Sequence, residues 1–435
     1  MPDSSEPDPR LCRALAADLG AAGYRSERLR ELWGDAADGA IGRGDALPAR
    51  RAVAADPRPI AVVARLLGLG DDVTTAEASG AFPALGVAGL ADLGIAAQDG
   101  DVVRARALVR PQSFVDDDGA GQWWIASDLD EAALGGPLPE DHVLGVGGAS
   151  LTLAGLQLTT PAGRVLDLGS GCGIQALRAL RVADTVVATD VSARALWFTR
   201  LNAMLNAVAD RVETRRGDLF DPVEGEVFDR VVSNPPFVIT PRAAGMPAYE
   251  YRDGGRVGDA LVAEFLSGVG VHLAPGGVAQ LLGNWEARDG RSGLDRVREV
   301  IAASPVALDA WVIERELLDV VAYAQLWIRD AGTLPGAPGY DAMLGAWLDD
   351  FAARDVASIG FGYILVRRAR GRPTLARYVR ILQQVSDTGL GAHLTRSLAA
   401  HDRLAAMGDA EIVASVLQVA PDVTEARHHL PGSEA

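Results

Sequence analysis

The sequence predicts an α/β fold: a doubly wound, mostly parallel sheet of seven strands, preceded by a mainly helical, winged-helix-like module and followed by an extension. Three observations lead there. From residue 161 onward short apolar runs alternate with stretches of helical periodicity, a pattern that requires crossover connections and therefore parallel strands. The first run, VLDL at 165–168, opens into glycines at 169, 171 and 173. A later run, DRVVS at 229–233, meets two prolines just after Asn234; lacking N–H groups to give a sheet, they end the strand there.

Taken in order, residues 8–34 carry Leu11, Leu15, Leu19, Leu29 and Leu32 near helical spacing and read as a helix. An apolar helix follows from Pro57, then a short one that Thr74 or Thr75 can cap, then VAGLADLG. DGDVVRARALVRP closes this part as a strand pair around Asp99-Gly100. Three short helices and a two-stranded wing make the winged-helix-like outline, assigned to 1–110. A joining region over 111–160 leads to the sheet domain at 161–368, and 369–435 is a less regular extension. In the joining region Trp123 and Trp124 are neighbours on a strand, point to opposite faces, and serve mainly as packing.

Composition narrows the function. The 435-residue chain carries a net charge of −17, and its 41 basic residues are all arginine. Such a field repels polyanions at long range, so a nucleic-acid partner would need a local basic face. RRARGRPTLARYVR, with six arginines between 367 and 380, offers one. Cys12 and Cys172 are too few for a disulfide framework or a cysteine metal site, and His142, His272, His393 and His401 lack ligand spacing. No metal is expected. Without an 18-residue apolar run, and with acids where a signal peptide would carry bases, the expected location is the cytoplasm, away from membranes.

The turn after the first strand reads as a ligand seat. Gly169, Ser170, Gly171 and Gly173 bring bare backbone to a helix N-terminus. Asp167 precedes them, where an anion would serve a pyrophosphate badly. The second strand ends on Asp190 and Val191, the place where an acid accepts from ribose hydroxyls, and the third ends on Asp218 and Leu219, where a carboxylate can take an adenine amino group while Leu219 or Phe220 flanks the ring. Three carboxylates around one ligand predict a cationic, phosphate-free nucleoside, which is the description of S-adenosylmethionine. Ahead of the first strand Gly147, Gly148 and Ser150 could donate to its amino-acid end.

The proline knuckle supplies the second half of a reaction site. The side-chain carbonyl of Asn234 and the backbone carbonyl of Pro235 can both accept from one NH₂ group, Pro236 stiffens the pair, and Phe237 stacks on a flat target. A conjugated nitrogen is a weak nucleophile, so orientation and stabilisation of growing positive charge are what a catalyst must provide.

VLDLGSGCG, the TD at 189–190, GDLF at 217–220 and SNPPF at 233–237 together resemble the class I S-adenosylmethionine-dependent methyltransferases of the N-P-P-[YF], "small-domain" type, over roughly 140–330. The resemblance implies cofactor contact by Asp167, Gly169, Gly171, Asp190 and Asp218 and target contact by Asn234, Pro235 and Phe237. It implies N-methylation of a planar nitrogen: an exocyclic nucleobase amine, in RNA before DNA, or a protein glutamine as in release-factor methyltransferases, or a small molecule. YEYRDGGRVGD at 249–259, with Arg252 and Asp253, sits where glutamine methyltransferases carry a glycine-rich stretch. Phe237 and the arginine cluster lean toward the nucleobase. A non-catalytic cofactor-binding scaffold is the alternative from another class.

Overall fold

The computed structural model describes residues 6–116, 119–136, 138–242, 254–381, 390–416, 418, 419 and 423. Where one helix is expected over 8–34, two form, Pro9–Ala21 and Ser26–Trp33. Between them Tyr24 drops fully buried into the core and donates its hydroxyl to the Val109 carbonyl, which bends the chain. Asp8 caps the first helix through the Arg10 N–H. Thr74, rather than Thr75, caps Thr75–Ala81, in a reciprocal box with Glu77. Strands β1 (Val73–Thr74), β2 (Ala96–Asp99) and β3 (Val102–Ala105) form a small antiparallel sheet in the order β1-β3-β2, with the β2–β3 turn at the Asp99-Gly100 position.

The joining region contains a long hairpin, β4 (Leu108–Asp116) with β5 (Gly119–Ser127). Two asparagines bind β5 to the helix Ala193–Leu205 and the residue after it. Asn202 exchanges hydrogen bonds with the Ala126 backbone at 2.7 and 2.9 Å, and Asn206 does the same with Trp124 at 2.9 and 2.8 Å. Trp123 packs on Phe114 with centroids 5.4 Å apart, while Trp124 donates its indole N–H to the Tyr24 carbonyl; both are packing residues.

The large sheet has eight strands, not seven: β6 (Ala162–Leu168), β7 (Ala183–Asp190), β8 (Val212–Arg216), β9 (Phe228–Ser233), β10 (Leu273–Arg288), β11 (Leu308–Asp319), β12 (Val356–Arg368) and β13 (Ala376–Arg380). Their order is β13-β11-β12-β10-β9-β6-β7-β8, all neighbours parallel except β10–β12 and β12–β11. The eighth strand comes from the arginine-rich segment. Its two arginines are engaged locally, Arg380 on the buried Glu314 of β11 and Arg377 over the Trp311 ring, so a polar stretch can close the sheet edge.

Alternation along each strand divides the core. Val165 and Val186 face Leu177, Phe198 and Leu201 on one side, and Leu166, Val187 and Val231 face Phe265 and Leu266 on the other. Strand order reverses between β6, which continues to β7 and β8, and β9, which continues to β10. Ligands in open α/β sheets bind at the strand C-termini beside such a reversal. On the far side β10 outruns β9: Leu281 pairs with Ser233, and residues 282–288 stand beyond it, paired to β12. Helices Val320–Asp330 and Tyr340–Ala353 cover that overhang through Tyr323, Trp347 and Phe351.

Four of the six arginines of the run are engaged within the chain, while Arg370 and Arg372 are exposed. Arg367 binds Asp309 and Asp402, Arg368 donates to the Leu273 carbonyl, Arg380 pairs with Glu314, and Arg377 lies 5.2 Å over Trp311. Beyond it the helix Leu390–Ala406 seats Leu394 and Leu398 among Leu153, Leu156 and Leu365, more order than the extension's sequence suggested. Among the described residues no helix is long and apolar enough to cross a membrane.

Candidate active site

The glycine turn, the strand-end acids and the proline knuckle converge at the C-terminal ends of β6 to β9. Ser233, not singled out in the sequence, donates its hydroxyl to the Leu168 carbonyl at 2.8 Å and so locks the end of β9 to the start of the turn. This one bond sets Asn234 beside Gly169.

In the turn itself, Gly169 and Gly171 have φ of 75° and 53°, and a Cβ on either would project into open space. The turn is a cradle that only bare backbone leaves clear. Its amides are already donated: Gly169 and Ser170 to the Thr189 carbonyl, Gly171 to Asp190 at 2.9 Å, Gly173 to Ser170, and Ala176 to Asp167 at 2.8 Å. A phosphate would find these donors taken, which agrees with a phosphate-free ligand. Gly173 and Ser170 serve packing as well as the turn. A Cβ at Gly173 would lie 3.1 Å from Thr199, and the Ser170 hydroxyl lies 3.2 Å from that same side chain.

Asp167 is fully buried, and burial lifts its carboxyl to about 7. One oxygen takes the Ala176 N–H, while the other is buried without a partner, an acceptor that fits an ammonium or hydroxyl of a bound ligand. Asp190 takes the N–H groups of Gly171 and Ser192, both at 2.9 Å, and is thereby aimed across the turn. Val191 beside it is 47% exposed, an apolar surface suited to one face of a ring.

Asp218 is placed differently from expectation: its carboxylate takes the Arg256 guanidinium at 2.6 Å, and Arg256 also reaches Glu264. Phe220 is turned inward, stacked on His272 at 4.6 Å, which leaves Leu219, at φ 43°, as the residue beside Asp218. Arg252 and Asp253 lie outside the described residues.

At the knuckle, the Asn234 side-chain NH₂ donates to the Ser150 hydroxyl at 3.3 Å, and its carbonyl oxygen is buried with no partner. Ser150 lies in the helix Gly148–Leu156, whose N-cap is Gly147, and its own carbonyl is held by Gln175 at 2.8 Å. Gln175 in turn receives Gln157 at 2.8 Å, a chain of buried amides that fixes the helix against the turn. Ser150 therefore orients Asn234. Pro235 is buried, Pro236 and Phe237 are half-buried, and the Phe237 ring lies 5.4 Å from Phe361. The geometry leaves an acceptor without a donor beside an open glycine cradle, which is what an incoming NH₂ group and a nucleoside cofactor require.

Residues 147–288 match the family model described as methyltransferase small domain, and residues 21–106 match one described as a domain of unknown function. The chain is 35% identical over 127 residues to a release factor glutamine methyltransferase of Gloeobacter violaceus, covering 27% of this chain and 44% of that protein. It is 39% identical over 110 residues to a ribosomal protein L11 methyltransferase of Desulfitobacterium hafniense, covering 22% and 35%. A ribosomal protein uL3 glutamine methyltransferase of Bradyrhizobium diazoefficiens is 37% identical over 128 residues, covering 27% and 40%. The chain thus spans less than half the length of these relatives. Their names specify protein targets.

Proposed function

We propose, for a chain whose residues 147–288 belong to the methyltransferase small-domain family, that it is an S-adenosylmethionine-dependent N-methyltransferase acting on the side-chain amide of a protein glutamine. One observation carries the reading: among the described residues the buried Asn234 carbonyl oxygen has no hydrogen-bond partner, and Ser150 holds the amide in the orientation that keeps it so. A buried acceptor without a donor costs about 1–3 kcal/mol, a cost that persists when a ligand donor is to complete it.

The residues fit the cofactor. The open cradle at Gly169 and Gly171, the acids Asp167 and Asp190 and the apolar Val191 suit a cationic adenosine derivative, whose bound form would supply an electrophilic methyl group. The chain's own groups do the rest. Asn234 and the Pro235 carbonyl accept the two N–H bonds of the target amide, which fixes the nitrogen and favours the positive charge it gains as its bond to carbon forms. Phe237 covers the flat face of the amide and excludes water. The surplus proton becomes acidic only once nitrogen is alkylated, so it can pass to water without a dedicated base. The proposed partner is a translation protein of the cytoplasm, of the kind named for the relatives.

The test uses tritiated S-adenosylmethionine with unmethylated release factor, ribosomal protein, RNA and DNA from the same cell. Label is expected in protein, at glutamine. Asn234→Ala should abolish that label while cofactor affinity by calorimetry stays within about three-fold, because its atoms serve the target amide; label in RNA, or full turnover by the variant, would refute the reading.

A further inference from the structure

The chain leaving the prolines is held from a second direction. Val238 and Ile239 share a core with Tyr323, Trp347 and Phe351 of the two helices over the β10 overhang. Within this contact the Tyr323 hydroxyl accepts the Ile239 backbone N–H at 3.0 Å and a side-chain N–H of Asn284 at 2.6 Å. Ile239 belongs to neither helix nor strand, so this phenol stands in for the ladder partner its N–H would otherwise have. Tyr323 is 2% exposed, with Trp327, Trp347 and Phe351 around its ring at centroid distances of 6.1, 5.9 and 6.1 Å. Such packing allows the hydroxyl little movement.

A second hold acts two residues earlier, where Phe361 meets the Phe237 ring. Asn284 and Phe361 are partners across β10 and β12, so both holds issue from one rung of the sheet. That rung lies three residues past Leu281, the partner of Ser233. The knuckle is thereby fixed at both ends: Ser233 anchors its entry to the glycine turn, and the rung at Asn284 and Phe361, acting through Tyr323 and Phe237, anchors its exit. Stiff prolines keep two acceptors aimed only if neither end of the segment can drift.

We propose that Tyr323 and Asn284 are positioning residues for methyl transfer, fixing the arm at 237–239 so that the Phe237 ring and the Pro235 carbonyl stay aimed at the target nitrogen. The proposal rests on the reading of 234–237 as the amide grip. It places part of the catalytic geometry outside the 147–288 span of the family match, on a helix at 320–330. Misplacement of reacting groups by about 1 Å can cost on the order of 10²-fold in rate, so a remote hydroxyl can matter this much.

Tyr323→Phe tests it, because the ring packing stays and only the acceptor goes. Hydrogen–deuterium exchange of the 237–240 segment should rise about ten-fold or more in the full-length protein, reporting local release without unfolding. With release factor as substrate, kcat should fall by about 10- to 100-fold while the affinity for S-adenosylmethionine stays within two-fold, a split that general destabilisation would not give. Asn284→Ala should move both readouts the same way by less, and the double variant should match Tyr323→Phe alone. Unchanged exchange in the segment, or cofactor affinity falling in step with kcat, would overturn the proposal. If Tyr323→Phe does not fold, Phe361→Leu carries the test with the same expected split. Asn234→Ala separates the two ideas: full turnover there removes the amide grip, whereas an inactive Asn234→Ala beside a fully active Tyr323→Phe removes only the positioning role.

Discussion

The glycine turn and the proline knuckle are neighbours joined by one serine hydroxyl, yet they treat their polar groups in opposite ways. The turn amides of Gly169, Ser170, Gly171, Gly173 and Ala176 are each donated to another group of the chain. At the knuckle the Asn234 oxygen is kept buried and unmatched. The turn backbone is therefore satisfied without a ligand, and what it leaves open is its shape and one buried oxygen of Asp167. The knuckle holds an acceptor without a donor, and on the proposed reading its interaction forms only when a target arrives. Interactions of the first kind set affinity, and those realised at the reacting centre set rate.

Substitutions can break this contrast in order of effect. Asn234→Ala should be the most severe, lowering kcat by at least about 10²- to 10³-fold, the range seen when a single charge-stabilising group is lost, with little change in cofactor binding. Asp190→Ala should do the reverse, weakening cofactor binding by about 1–3 kcal/mol in calorimetry while leaving the target KM alone; equal losses in both constants would erase the distinction between the two regions. Ser150→Ala removes the hydroxyl that orients Asn234. A kcat lower by about two- to twelve-fold is expected, from a net hydrogen-bond contribution of about 0.5–1.5 kcal/mol, with recovery in Ser150→Thr.

The smallest effect sharpens the picture of the turn. Burial lifts the Asp167 carboxyl from 3.8 to about 7, so between pH 4 and 7 the folded chain keeps a proton that the unfolded chain has released. Its share of the stability is present below pH 4 and is lost as pH rises through 7. Thermal melts should show the wild type losing stability relative to Asp167→Asn over that window, and parallel curves would mean the carboxyl ionises normally.

What the sequence made legible was local. The glycines at 169, 171 and 173, the acids closing β6, β7 and β8, and the SNPPF segment each declare themselves within a few residues, because turn chemistry and strand ends are set by adjacent positions. What it hid depends on distance along the chain. Ser150 reaches Asn234 across 84 residues, Tyr323 reaches Ile239 across the same span, and Ser233 reaches Leu168 across 65. No spacing rule links such pairs. Within the arginine run, Asp309 and Asp402, which match Arg367, lie 58 and 35 residues away, so no nearby residue announces that pairing. The pairing of Asp218 with Arg256, 38 residues downstream, likewise leaves no local signal. The eighth strand was missed because five residues rich in arginine show no apolar alternation, although partners on β11 and the 293–302 helix supply the compensation.

The pair of asparagines at 202 and 206 has a consequence for how the protein can be divided. The helix that carries Asn202 begins three residues after Asp190, and its outward amides are completed by the β5 backbone rather than by water. Excising the 147–288 span would strip that cover and leave the Asn202 and Asn206 amides without their β5 partners. The transplantable unit is larger than the family outline, and any chimera that swaps the front of the chain must bring a strand able to meet those two side chains.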